Sequence, residues 1–407
     1  MNFFVYYIWI LCFVSLYVAV FWLSVVSMHI QHPRREWKVL PSVTLCVPAY
    51  NEEDSIVSTV ESLLALDYPQ DKLTIIVVDD GSTDATLTRA HSFRSQHVRV
   101  VSQHNKGKAA AVNHGIRLAK SEIFGVFDAD SKADPDSLKH MLPYFDIDTV
   151  GAVISPIRVW RTDLFLEQIQ RFEYIMANFV RKLMSLVGTL HTTPGVLSLY
   201  RLDVLKTIGG FDETSLTEDY EIAMRLRRYH YTIRLCPDSR TYTYVPTTMG
   251  SLWKQRVRWF RGFIDTHKKH RSLIFNRKYD LLGMFQTPLN LLMLFFVLVS
   301  CVLLLYQGTR YLFDLFFKLD ILRLDFFDLE LLTLREFILN INLTLVFPIF
   351  VTFLAGIFLY MKAHVFVQEK WKFHFSTFLY LFIYPFVRSA QWIHAFILEV
   401  FKAKRKW

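Results

Sequence analysis

Cysteine is scarce in this chain and never patterned. Cys12, Cys46, Cys236 and Cys301 are the only four in 407 residues, and two of them lie inside apolar runs. No C-x-x-C or Cys/His spacing appears, which excludes a thiolate metal centre and a disulfide framework and fits a reducing, cytosolic face. Charge is thin as well. Charged residues make up 20% against 52% hydrophobic, and mean hydropathy is +0.25, too apolar for a soluble domain alone. There is no internal repeat, low-complexity tract, flexible linker or G-x-x-x-x-G-K-[ST] loop. The charge that is present sums to +9, which suits phosphates or an acidic inner leaflet; a solvated basic face with no specific partner accounts for it equally well.

Long uncharged runs frame the chain. Residues 3–27, FFVYYIWILCFVSLYVAVFWLSVVS, are long enough to cross hydrocarbon. A cleaved signal peptide would need a basic segment ahead of a shorter run, and neither is present. Arg34, Arg35 and Lys38 follow, so the positive-inside tendency puts the N-terminus outside and the next domain in the cytosol. Residues 281–306 and about 343–360 read as two further spans. Between them, residues 311–332 set Asp314, Lys318, Asp325 and Asp328 near one helical face, predicting an amphipathic interfacial helix, with a short packed loop as the alternative. Segment 375–400 carries Pro385, Arg388, Gln391 and His394. A full crossing would leave KAKRKW outside, so a Pro-broken re-entrant or cytoplasm-hugging helix is expected. The resulting division is a membrane helix in 1–33, a cytosolic domain in 34–250, an interfacial region in 251–280, and membrane and interfacial helices in 281–407. Such a chain is a multi-pass protein of the cell membrane.

From Pro41 to about Thr248 the character is that of an α/β domain. SVTLCV (42–47), LTIIVV (73–78), VRVV (98–101) and IFGVF (123–127) read as strands. Helical patterns follow Asn51 and Thr83 and cover 107–119, the alternation expected of a parallel sheet with crossover helices. In such sheets ligands sit at the carboxyl ends of the strands. The polar clusters PAYNEE, DDGSTD and DAD fall immediately after strands.

Each cluster has a chemical and a plain structural reading. In VVDDGSTD (77–84), Asp80 suits a base or ribose edge while Asp79 orders the turn; an Asp-Gly turn capping the next helix through Ser82 or Thr83 explains the same residues. Asp128 and Asp130 of FDAD, two apart at a strand end, suit a hard cation that also binds a diphosphate, although D-x-D alone is common. Lys106, Gly107 and Lys108 open a helix whose N-terminus favours an anion, or form a solvated loop. LTEDYEIAMRL (216–226) starts a helix with Thr217 as N-cap and Glu218 and Asp219 in the first turn. That is ordinary capping chemistry, or it presents Asp219 as a general base.

LWKQRVRWFRG (252–262) gathers cations and indoles beside a membrane run. Gln255 and Trp259 share a helical face, Arg258 suits a bidentate grip on a diphosphate, and an indole suits stacking on a sugar ring. A Trp/Arg belt at lipid headgroups is the alternative, and Trp253, Arg256 and Arg261 are assigned to it.

VPAYNEE, VVDDGSTD, NKGKAAAVNHG, DAD, TED and QRVRW stand in the order found in membrane-integrated family 2 glycosyltransferases. The set resembles the branch of cellulose, hyaluronan, chitin and poly-N-acetylglucosamine synthases, and TED followed by LWKQRVRWFRG is most similar to the last. That resemblance implies an α/β GT-A (Rossmann-like) domain with a helical membrane bundle, a UDP-sugar donor and Mg²⁺ or Mn²⁺. It implies that Glu52 and Asp80 contact the nucleoside and Lys108 the nucleotide's surroundings. Asp128 and Asp130 would serve the diphosphate and metal, with Asp130 favoured as direct ligand. Asp219 would be the base for inverting transfer, Gln255 and Arg258 would hold the acceptor end and leaving diphosphate, and Trp259 would stack on the terminal acceptor sugar. The acceptor is expected to be a growing polysaccharide, or alternatively a membrane lipid. A transporter or sensor that binds nucleotide sugar without turnover is the reading from another class. Membrane lipids are expected partners, a small membrane subunit or a second copy would complete a channel, and nucleic acid is not expected.

Overall fold

The computed structural model describes residues 3–27, 40–95, 97–322, 342–368 and 375–403. Strands β1 (Val43–Ala49), β2 (Leu73–Asp79), β3 (Val98–Ser102) and β4 (Ile123–Phe127) pair in parallel in the spatial order β3-β2-β1-β4. Every residue of β1 is buried, as a strand covered on both faces must be. Its alternation feeds two cores. Leu45 and Val47 join Ile75 and Val77 on one face, while Cys46 joins Ile76, Val78 and Phe124 on the other. Helices α2 (Ile56–Leu64), α3 (Thr86–His91) and α5 (Ser137–Met141) cover the first face; α4 (Lys108–Leu118) covers the second. Register sets Ala49 beside Asp79 and Cys46 beside Val126, so the three polar clusters emerge along one sheet edge.

Beyond β4 the expected parallel sheet turns mixed. Strand β8 (Val196–Arg201) inserts antiparallel between β4 and β6 (Val150–Ile154), and β9 (Thr232–Leu235) closes the seven-stranded sheet parallel to β6. A second sheet of β5 (Ser131–Ala133), β10 (Thr241–Thr243) and β7 (Ile157–Val159) lies beside it. Helices α7 (Leu202–Thr207) and α8 (Glu218–Arg228) add to the second face.

Helix α6 (Phe165–Leu186) joins the domain to the apolar helices. Its Phe172, Ile175, Phe179 and Leu183 pack with Trp22 and Val25 of α1 (Phe3–Ser27) and with Tyr360, Ala363 and Val367 of α11 (Leu343–Val367). Helix α9 (Met249–Lys269) carries the Q-x-x-R-W stretch and packs on the C-terminal segment. That segment is broken at Ile383, before Pro385, into α12 (Phe375–Phe382) and α13 (Tyr384–Val400). Among the described residues, three helices suit a membrane by length and composition: Phe3–Ser27, Leu282–Phe317 and Leu343–Val367.

The span expected over 281–306 does not stop there. A π-helical turn, Leu282–Gln286, leads into α10 (Thr287–Leu322), which runs on through 311–322, where a separate interfacial helix was expected. Nothing from Pro288 to Leu322 interrupts a helix, because Gly308 is a mild breaker and no further proline occurs before Leu322. The rest of the expected interfacial helix, 323–332, lies outside the described residues.

Leu45 tests the packing. It is fully buried, so Leu45→Ala should cost about 2–5 kcal/mol and lower the melting temperature of the detergent-solubilised protein by several degrees. Leu64→Ala, at a side chain 40% exposed, should leave it unmoved. Equal melting of both variants and the parent would contradict this core.

Candidate active site

All nine residues singled out by sequence, Glu52, Asp80, Lys108, Asp128, Asp130, Asp219, Gln255, Arg258 and Trp259, line one cleft of about 1000 Å³. It opens along the carboxyl edge of the parallel strands and runs beneath α6 and α9 toward Tyr380, Arg388 and Trp392. At its centre the Lys108 ammonium lies 2.6 Å from Asp128 and 3.2 Å from Glu218. Burial would lower its pKa, but Asp128, Glu218 and Asp219 hold it well above the usual lysine value. The pair needs Gly195: a Cβ there would stand 2.5 Å from both the Asp128 carboxylate and the Lys108 Nζ.

The D-D-G-S turn is wired differently from a simple helix cap. Asp80 is 3% exposed and accepts from Gln103 Nε2 at 2.8 Å, Lys106 N at 3.0 Å and Gly107 N at 2.8 Å. The anion at the N-terminus of α4 is therefore the protein's own Asp80. Asp79 accepts from Ser102 Oγ at 3.0 Å, and Ser82 and Thr83 bind Asn51 instead of capping α3. The N-cap residue of α3 is Ala85, and Asp84 just before it accepts from Thr86 N at 2.9 Å. Glu52, half-buried, accepts from Ser55 Oγ at 2.7 Å, with a pKa raised by burial and by Asp128.

Asp128 and Asp130 diverge in use. Asp128 is paired with Lys108, whereas Asp130 accepts only Ser131 Oγ, at 3.0 Å, among the described hydrogen bonds. Burial, then Asp128 and Glu52, push the Asp130 carboxyl up to about 7. Excess negative charge of this kind suits a hard cation. No group of three or more His, Cys, Asp or Glu residues gathers as a metal site among the described residues, so a cation here would draw most of its ligands from a bound diphosphate.

Asp219 opens α8 half-buried, its Oδ1 accepting from Tyr220 N at 2.8 Å and its carbonyl from Thr193 Oγ1 at 2.7 Å. Burial first, then Glu218, raises its pKa to about 6, against the pull of Lys108 and Arg258. Thr217 is the N-cap residue of α8, as expected, but its side chain makes no capping bond: among the described residues its Oγ1 has no hydrogen-bond partner, and it faces Gly262 of α9, where any Cβ would collide with the Thr217 side chain. That close approach brings α9 onto the start of α8, and Arg258 Nη1 fixes it by donating to Leu216 O at 3.0 Å.

The headgroup assignment is overturned for Arg256 and Arg261. Trp253 Nε1 donates to His394 Nδ1 at 2.9 Å, and Arg261 pairs with Glu399 at 2.7 Å. Arg256 is fully buried, 2.8 Å from Glu173. Glu173 on α6 and Glu399 on α13 draw the two guanidinium groups inward. Sequence reasoning also missed Glu173, Tyr174, Arg181 and Arg388 as cleft residues. For the first three the available signal was α6 itself, an amphipathic helix with carboxylate and guanidinium groups spaced along its less apolar side.

A mixed α/β sheet with D-x-D after β4, a carboxylate at the head of α8 and a Q-x-x-R-W helix over one cleft is the arrangement that the motif resemblance implied for a glycosyltransferase with a GT-A domain. The sequence model of "Glycosyltransferase like family 2" matches residues 41–262, more than half of the chain, and the chain belongs to that family. It is 30% identical over 297 residues to a poly-beta-1,6-N-acetyl-D-glucosamine synthase of Staphylococcus epidermidis, covering 70% of this chain and 72% of that one. It is 31% identical over 272 residues to a synthase of the same name from Staphylococcus aureus, covering 64% of each. A mannosyltransferase of Pyrobaculum calidifontis, solved with GDP-Man and Mn²⁺, shares the fold at TM-score 0.61 and 18% identity, over 98% of this chain and 99% of that one.

The carboxylate crowding has a measurable cost. Raised pKa values for Asp130 and Asp219 mean that the native state keeps protons the unfolded chain has released, so this part of stability is present at about pH 4 and is lost above about pH 7. With chelator present, Asp219→Asn should raise the melting temperature at pH 8 by roughly 2–4 °C, the shift about 1 kcal/mol gives in a domain of this size, and by much less at pH 5. Lower melting at pH 8 would contradict the electrostatics given for this site.

Proposed function

We propose that this chain transfers N-acetylglucosamine from its UDP-sugar, with inversion, to the end of a growing β-linked polysaccharide at the membrane; UDP-glucose is the alternative donor. The observation that carries this reading is the single cleft in which the D-x-D, Asp219 and Q-x-x-R-W groups face one another. Likeness to the two staphylococcal synthases supports the sugar and the polymer.

Glu52 and Asp80 edge the end that would take the nucleoside, with Asp80 shaping the 103–107 loop beneath it. Asp130 with Asp128 would hold Mg²⁺ or Mn²⁺, which supplies positive charge against the diphosphate. Asp219 takes the proton from the acceptor hydroxyl as that oxygen bonds to the anomeric carbon, and the bond to UDP breaks on the opposite side. Arg258 and Lys108 offset charge gathering on the leaving diphosphate. Trp259 offers a ring face to the terminal sugar and Gln255 its amide. A single transfer to a membrane lipid is the second reading, favoured by Met176, Ala177 and Val180 of α6, which bring apolar surface into the cleft. The proposed setting is a cell membrane with the catalytic domain on the cytosolic side.

The test is UDP release and product sizing with the reconstituted protein, a panel of UDP-sugars that includes UDP-N-acetylglucosamine and UDP-glucose, and Mg²⁺ or Mn²⁺. Long chains are expected; one added sugar on a lipid would replace the polymer reading, and no turnover of any UDP-sugar would refute both. Asp219→Asn should slow transfer about 10²–10⁴-fold while UDP still binds. Wild-type turnover should fall as pH drops through about 6, because the base must be unprotonated. Full activity of the Asn variant would remove Asp219 from this role.

A further inference from the structure

Gln255 and Trp259 are held by one residue. Among the described residues, the only side-chain hydrogen bond of Gln255 comes from Arg256 Nη1, and the Arg256 guanidinium lies 4.2 Å from the Trp259 ring centroid. Arg256 has no exposed surface, so its place is set by what it pairs with. Its Nη2 donates to Glu173 Oε2 at 2.8 Å.

Glu173 belongs to neither helix of the transfer centre. It projects from α6 and collects groups from two other elements. Tyr384 Oη, in the first turn of α13 just after the break at Ile383, donates to its Oε2 at 2.9 Å. Arg388 Nη1, one turn further on, stands 3.6 Å from its Oε1. One carboxylate thus ties α6 and the broken C-terminal segment to Arg256, and through Arg256 to both side chains that face an acceptor. The donor end is separate: no described hydrogen bond or ion pair joins Glu173 or Arg256 to Lys108, Asp128 or Asp130. The Arg258 guanidinium is anchored elsewhere, on Leu216 O.

We propose that Glu173 and Arg256 are positioning residues for the acceptor: Arg256 fixes the Trp259 ring and the Gln255 amide in one geometry, and Glu173 locks Arg256 to the C-terminal segment. This rests on the transferase reading above. A planar guanidinium is needed, because it can stack on an indole while forking to a carboxylate and an amide; an ammonium cannot do all three. A carboxylate is needed because a buried cation left without its anion shifts or takes in water. Loosening either group blurs the acceptor's position and leaves the nucleotide end as it was.

The experiment uses full-length protein in nanodiscs and three variants: Glu173→Gln, Arg256→Lys and Arg388→Gln. UDP affinity is measured by titration and product length by gel or mass analysis. Glu173→Gln and Arg256→Lys should keep UDP affinity within about twofold of the parent while mean product length falls at least about fivefold, because acceptor grip alone is lost. Arg388→Gln leaves the buried pair intact and should shorten products less. Wild-type product length in folded Glu173→Gln would overturn the proposal, as would parallel losses of UDP affinity and product length in both pair variants, the mark of a purely structural pair. Should Glu173→Gln fail to fold, Arg256→Lys decides by the same two readouts. Should the parent add only a single sugar, the polymer reading fails by itself, and the variants are scored by acceptor KM against UDP affinity.

Discussion

The Lys108 ammonium sits between Asp128 and Glu218, and that pairing joins the end of β4 to the head of α8. Strands β1, β2 and β4 deliver carboxylates to one edge because parallel register leaves them no other place to emerge. Left alone those carboxylates would repel. Lys108 offsets part of the charge, Asp80 fixes the loop from which Lys108 projects, and Gly195 leaves the space the pair occupies. What remains unbalanced sits on Asp130 and Asp219, the two carboxyl groups whose pKa values are raised, and these are the groups proposed as cation ligand and general base.

The membrane side of the cleft follows a different logic. Helix α6 turns its aromatic face to α1 and α11 and its polar groups to the cleft, so one helix is at once the floor of the apolar bundle and a wall of the site. Helix α9 approaches through Gly262 and is held by buried ion pairs to α6 and α13. Cations that would be expected at lipid headgroups are drawn inward because carboxylates await them there. Glu173 and Glu399 thereby hold α9 in place from elements far apart in the chain.

Much of this was legible in the sequence, for identifiable reasons. Fully apolar strands such as VTLCVPA announce a doubly covered sheet, and the clusters directly after them announce its functional edge. Asp128, Asp130, Asp219 and the Q-x-x-R-W residues stood out as local motifs, and the fold brings them to one cleft. The antiparallel insertion of β8 was not legible, since its apolar alternation suits either direction. Neither was the continuation of α10 past 306, where helix-forming residues carry on without a stop. Arg256 and Arg261 were misassigned because a buried cation and a headgroup cation look alike until the partner carboxylate is placed, and Glu173 and Glu399 lie 83 and 138 residues away.

The central claim is that the crowded carboxylates at the strand ends form a receptor for a cation-bound nucleotide diphosphate. Calorimetric titration of UDP into the reconstituted protein, with Mn²⁺ and with chelator, tests it most directly. The expected result is binding at least about tenfold tighter with the cation, a difference of about 1.4 kcal/mol. Equal affinity in both conditions, or no binding in either, would contradict it.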